Sequence, residues 1–228
     1  MIPELPFDDI KIIRKFPSRK NSVFLVERSG WRMVLKMYAS DRMDNEAAAL
    51  RSSRKAGIAV PEVIEAGDRA LLLELVPGRA VNDYLESPDM EQKVLDVAGW
   101  LAGFHRAFRS GDEVLVKSDA IFKNFIVFDR VYGIDFEMSH RGTPEEDVGE
   151  ALAYLLDTDP MFTEEKIALG NKFIDLYEKR SGITLEDIEG YIALALRDAA
   201  KFRPGQTELL LKKAGEIEAS RPFIRGRR

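Results

Sequence analysis

The sequence contains no cysteine and only two histidines, His105 and His140. The first absence excludes disulfides and thiolate metal sites, and the second leaves too few imidazoles for a zinc centre. No apolar run approaches the roughly 20 residues a membrane-spanning helix needs, because charges interrupt every long stretch. The opening Met1-Ile2-Pro3-Glu4-Leu5 has no basic region leading into an apolar core. No signal peptide is therefore expected, and the setting is read as cytoplasmic with no membrane partner. A net charge of −5 argues against a surface coated by nucleic acid. The end of the chain is locally basic, with Arg221, Arg225, Arg227 and Arg228, and reads either as a solvated tail or as a phosphate-binding arm. Glutamine and asparagine are scarce while lysine, arginine and glutamate abound, a balance that leans toward a thermophile. What remains is ordinary globular material: 228 residues, 45% hydrophobic and 32% charged, enough for one large domain or two small lobes.

The early chain is rich in strands. Ile10 to Phe16, Ser22 to Glu27 and Trp31 to Tyr38 are separated by turn sequences, Pro17-Ser18-Arg19-Lys20-Asn21 and Ser29-Gly30. Residues 41–55 then read as a helix capped by Ser40 or Asp41 and stopped at Ala56-Gly57. Two more strands follow, Val60 to Ala66 and Ala70 to Val76, until Pro77-Gly78 breaks the pattern. From Ala80 onward helices dominate, with a long one over 89–108 and others near 144–157, 163–179, 185–201 and 207–219. His105 falls on the apolar face of the long helix and reads as a packed or capping histidine.

Between the helices lies the stretch that carries chemistry, Val116 to Glu137. Two short apolar strands, beginning at Phe125 and Val131, flank a turn at Asp129-Arg130. Asp119 and Asn124 precede the first strand and Asp135 follows the second. A hairpin gathers such positions at one end. Two carboxylates and a carboxamide there suit a hard divalent cation such as Mg2+. An aspartate left off the metal can orient a hydroxyl for attack on phosphorus. A plain surface hairpin with turn aspartates is the competing reading.

Taken in order, these pieces resemble the protein-kinase-like superfamily. More narrowly, they resemble its small atypical branch of aminoglycoside and choline phosphotransferases and archaeal RIO-type kinases. The resemblance spans about residues 10 to 200. It implies an α+β, bilobal protein-kinase-like fold: a small antiparallel-sheet N-lobe with one helix, residues 1–77, and a mainly helical C-lobe with the catalytic hairpin, residues 78–228. It implies ATP and Mg2+ (or Mn2+) as cofactors. Lys36 matches the lysine that holds the nucleotide's phosphates, and Glu46 the helix glutamate paired with it. Glu74, Leu75 and Val76 match the adenine-binding linker between lobes. Asp119 matches the catalytic aspartate, and Asn124 and Asp135 match the metal-binding pair. Asp147 resembles either the aspartate that braces the catalytic loop or an ordinary acid at a helix start.

Several positions depart from the family pattern. Lys117-Ser118-Asp119 stands where a histidine usually precedes the catalytic aspartate, and Ile121 replaces a lysine. Lys123 and Lys117 remain as cations to stand near the transferred phosphate. Glu137 replaces the glycine of the Asp-Phe-Gly motif, as an added metal ligand or as a surface acid. The first turn has no glycine, so Ser18, Asn21, Ser22 or Lys20 must cradle phosphate instead. No long activation segment separates Glu137 from Pro144. The function expected is an ATP-dependent phosphotransferase (kinase) that passes the γ-phosphate to a hydroxyl of a small molecule or a protein, as a serine/threonine kinase would. The alternatives are a catalytically silent pseudokinase acting as a scaffold and an α+β domain that binds neither metal nor nucleotide.

Overall fold

The computed structural model describes residues 7–223, so the basic end expected as a solvated tail or phosphate-binding arm lies, beyond Arg221, outside the described residues. Five strands form one antiparallel sheet: β1 (Lys11–Phe16), β2 (Ser22–Arg28), β3 (Trp31–Met37), β4 (Val63–Ala66) and β5 (Ala70–Glu74), in the order β1-β2-β3-β5-β4. Helix α1 (Met43–Lys55) is inserted after β3. Its expected caps are not used, since the N-cap is Arg42 and makes no side-chain capping bond.

Period-two alternation sorts the two faces of this sheet. Leu35 lies opposite Phe24 on β2 and Leu72 on β5, and the three enter a small apolar cluster with Phe7, Val26 and Ala70. Lys36, one residue on, turns to the face that carries α1. A lysine in the strand is thus buried because both faces of the sheet are covered.

The linker after β5 runs against the second half of the chain. A Cβ on Gly78 would lie 2.0 Å from the Val127 carbonyl oxygen, so only glycine allows that approach. The adjoining β6 (Arg79–Ala80) pairs with β8 (Phe125–Val127), which pairs with β9 (Val131–Gly133). A further pair escaped the sequence reading: β7 (Val114–Val116) with β10 (His140–Gly142), on either side of the Asp119–Glu137 stretch. Strands of three residues are too short for an alternating pattern to stand out.

The helices are α2 (Met90–Ala107), α3 (Pro144–Leu156), α4 (Glu164–Ser181), α5 (Ile188–Ala200) and α6 (Thr207–Ser220). Val94, Val97, Leu101 and Phe104 of α2, at helical spacing, are all fully buried in the main core. Trp100 on the same helix stacks on Phe104 at 5.1 Å and meets Phe125 edge-on at 5.4 Å. The hairpin that carries the polar residues therefore rests on an aromatic floor. Among the described residues no helix is long and apolar enough to cross a membrane.

Candidate active site

The hairpin register sets the site's geometry. Phe125 faces Gly133, so Asn124 and Ile134 are next in line, and the Ile134 N–H donates to the Asn124 carbonyl at 3.0 Å. Asn124 and Asp135 thus emerge at the same end. Asn124 Nδ2 donates to the Asp119 carboxylate at 2.8 Å and to its carbonyl at 2.9 Å. The amide nitrogen is spent on Asp119, which leaves the side-chain oxygen as the atom that could hold a cation.

Lys36 arrives from the sheet. Its Nζ lies 2.6 Å from Glu46 Oε2, 2.5 Å from Asp135 Oδ1 and 3.5 Å from Glu137 Oε2. Burial lowers the ammonium's pKa, but Glu46 and Asp135 outweigh burial and hold it above its usual range. Burial likewise raises the Asp135 carboxyl, and the Lys36 charge outweighs it, so Asp135 sits below its usual range. Glu46 is 1% exposed and fully committed: Tyr38 donates to it at 2.7 Å and the Phe136 N–H at 3.2 Å. Two segments 90 residues apart in sequence are joined by that last bond.

Glu137 is buried, not a surface acid. It accepts a hydrogen bond from Asn21 Nδ2, and Asn21 Oδ1 accepts from the Ala39 N–H at 3.2 Å. The glycine-free turn before β2 is therefore clasped to the end of the hairpin. Asn45 of α1 adds a second clasp, donating to the carbonyls of Glu137 at 3.0 Å and Ser139 at 2.9 Å. Lys20 is exposed yet near enough for its charge to favour the Asp135 carboxylate.

The loop before Asp119 is held from below. Asp147, wholly buried at the start of α3, accepts the N–H groups of Lys117 and Ser118, both at 2.7 Å. His105 Nε2 meets the same carboxylate at 2.9 Å, and its Nδ1 meets the Tyr177 hydroxyl at 2.8 Å. Asp147 thus braces the loop, and His105 is a packed partner of that brace. Ser118, Asp119 and Asp135 have φ of +61°, +50° and +63°, the left-handed region that non-glycine residues rarely enter. Lys117 is wholly buried and points to backbone carbonyls beneath the turn, so it does not stand near a transferred phosphate. Glu150 accepts the Ala120 N–H at 2.8 Å, and burial pushes its carboxyl up to about 7 against that bond.

Glu74, Leu75 and Val76 lie at the end of β5 and just beyond it. The Glu74 N–H donates to the Glu62 carbonyl at 2.9 Å, and its carboxylate takes Arg54 at 2.7 Å. Glu74 is thus tied to α1 and to the residue before β4, while Leu75 and Val76 lie just beyond the strand.

Beside Lys123 a cavity of about 620 Å³ opens, lined among others by Asn82, Asp83, Tyr154, Asp157 and Arg203. Its four acids, Asp83, Glu86, Asp157 and Asp159, exceed its two cations, Lys123 and Arg203. Asp157 is 3% exposed and pairs through Oδ2 with Arg203 at 2.9 Å, while its Oδ1 has no partner among the described residues. Burial pushes this carboxyl up to about 6 despite the arginine.

The model of the phosphotransferase enzyme family, APH, matches residues 12–120. No curated protein matches the chain. Solved structures do match in fold. A choline kinase from Cryptosporidium parvum is 12% identical with a TM-score of 0.69, over 94% of this chain and 92% of that one. A putative aminoglycoside phosphotransferase from Ralstonia eutropha is 14% identical with a TM-score of 0.66, over 94% and 90%. An amicoumacin kinase in complex with AMP-PNP and Ca2+ is 15% identical with a TM-score of 0.64, over 95% and 90%. The chain has the α+β fold of the protein-kinase-like superfamily. The resemblance read from its motifs, to the aminoglycoside and choline phosphotransferase branch, is borne out.

Proposed function

We propose that the protein is an ATP- and divalent-metal-dependent phosphotransferase whose acceptor is a small hydroxylated molecule. The observation that carries this reading is the Lys36–Asp135 contact of 2.5 Å, which bridges residues 99 apart in sequence and sets an ammonium beside a candidate metal ligand. A triphosphate needs that pairing of cation and metal site in one cleft.

The residues fit a hard cation. Asn124 and Asp135 offer oxygen, and Glu137 brings a carboxylate atom within 4.8 Å of one of Asp135. When bound, the metal neutralises charge on the phosphate oxygens. Lys36 binds the nucleotide's phosphates, and Glu46 and Tyr38 hold its ammonium in place. Leu75 and Val76 offer backbone groups to the adenine, and Glu74 anchors the strand end that they follow. Asp119, oriented by Asn124, accepts a hydrogen bond from the acceptor hydroxyl and takes its proton as transfer completes. Most of the rate comes from placement and charge rather than covalent work.

The cavity beside Lys123 supports a small-molecule acceptor over a protein, since its volume lies in the range of small-molecule sites. The relatives in fold are named for small-molecule acceptors, which agrees. Residues 1–77 are read as the nucleotide lobe and 78–228 as the acceptor lobe.

Asp119→Ala is expected to abolish transfer while leaving Mg-ATP affinity within about threefold, because the residue meets the acceptor and not the nucleotide. Asp135→Ala is expected to weaken Mg-ATP binding itself. Full activity in both variants sinks the assignment. A wild type that binds Mg-ATP but transfers phosphate to neither acceptor nor water points instead to a pseudokinase.

A further inference from the structure

Lys117 is a buried lysine at the centre of the site that the proposed chemistry leaves unused. It is wholly buried, just after β7 and two positions before Asp119. Its Nζ donates to the carbonyls of Ser118 and Asp119, both at 3.3 Å, and of Asp135 at 3.2 Å. An ammonium has three N–H groups and no acceptor, so three carbonyls fill its capacity. No carboxylate among the described residues lies within ion-pair distance of it; backbone dipoles take that place. Its head also lies 5.5 Å from the Phe125 ring centroid and 5.3 Å from that of Phe136.

The three carbonyls belong to three particular residues. Ser118, Asp119 and Asp135 are the residues of this site with φ between +50° and +63°. Such conformations persist only where the surroundings hold them. Asp147 holds the N–H side of the first turn, and Lys117 holds the C=O side of both turns.

We propose that Lys117 is a positioning residue: one buried ammonium brackets the two strained turns and thereby fixes the Asp119 carboxylate relative to Asp135. This rests on the phosphotransferase reading above. Lys117 forms and breaks no bond to substrate, since its donors are spent beneath the turn. The position where a histidine usually stands before the catalytic aspartate is therefore not an empty one. An ammonium there reaches three carbonyls, whereas an imidazole N–H reaches one.

The test compares wild type with Lys117→Met, which keeps length and apolar packing but has no donor, and Lys117→Gln, which keeps two N–H groups on a shorter arm. Phosphate release from Mg-ATP is measured with water as the acceptor, per nucleotide-binding site. The expected order of kcat is wild type, then Gln, then Met, with a loss of about 100-fold in Met, the scale of a 1 Å misplacement. KM for Mg-ATP should stay within about threefold, because Lys36 and Glu46 are untouched. Should the Met variant fail to fold, the Gln variant carries the comparison. Equal kcat in folded variants overturns the proposal, and so does a loss confined to KM. A wild type that transfers phosphate to neither water nor an acceptor sinks the phosphotransferase reading instead. The bracket is then judged by amide hydrogen exchange: residues 118–120 and 134–136 should lose protection together in the variant, and unchanged protection overturns it.

Discussion

Lys36 is the charge on which three acids depend. Glu46 is almost wholly buried and Glu137 nearly so, and both face the same ammonium as Asp135. Lys36→Met would leave a buried carboxylate uncompensated, at a cost of about 3–5 kcal/mol near neutral pH. The pH dependence has a definite sign. In the wild type Asp135 sits below its usual pKa, so its contribution is present above the unfolded value and is lost as pH falls through the folded one. In the variant, carboxylates without a cation are pushed up and the fold tolerates their protonated form better. The stability gap should therefore narrow between pH 8 and pH 5, as urea denaturation would show. A gap that widens on acidification contradicts the ion-pair account.

A second prediction at this scale concerns Asp147, which accepts two buried N–H groups and meets His105. Asp147→Ala strands both donors, and each buried unsatisfied group costs about 1–3 kcal/mol. A measured loss below about 1 kcal/mol would mean that water replaces the brace. Asp119, Asn124, Asp135, Lys36 and Glu46 were all legible as candidates because their order and spacing repeat a known pattern. Lys117 was not. Nothing in Lys117-Ser118-Asp119 says that its side chain turns inward, since that depends on the Asp135 carbonyl, 18 positions downstream.

Among the elements, β9 is tightly constrained. Gly133 sits over Trp100, and a Cβ there would lie 2.4 Å from the indole Cζ2. The indole cannot retreat easily, because its Nε1 donates to the Ala59 carbonyl at 2.9 Å and its rings pack on Phe104 and Phe125. The Gly133 N–H reaches the same carbonyl at 3.1 Å. Gly133→Ala is therefore expected to cost about 1–3 kcal/mol by overpacking. It should also lower activity, since Asp135 is two residues on. Thermal melting and phosphate release, measured together, check both halves. The long elements were readable from periodicity: α2 was expected over 89–108 and spans Met90–Ala107. The three-residue strands β7 and β10 were not, because tertiary pairing rather than pattern makes them strands.

For the molecule as a whole, the proposed cleft joins a sheet and a helical body, so a ligand that binds there should stabilise both. Mg-ATP at about 100 times its Kd would add about 2.7 kcal/mol. For a chain of this size that corresponds to a melting shift of about 5–10 °C. Nucleotide without the metal should give a smaller shift. No shift under either condition would favour a domain that binds no nucleotide.

The sequence by itself determined the α+β division, the order of the elements and which polar residues could meet. Periodicity and turn chemistry are local, and the motif spacing survives without coordinates. Only the tertiary structure decided that Glu137 turns inward to Asn21, that Asp147 braces the loop with His105 behind it, and that Lys117 spends its charge on backbone carbonyls. The direction a polar side chain takes is set by partners far along the chain, and burial of a charge is favourable only once those partners are in place.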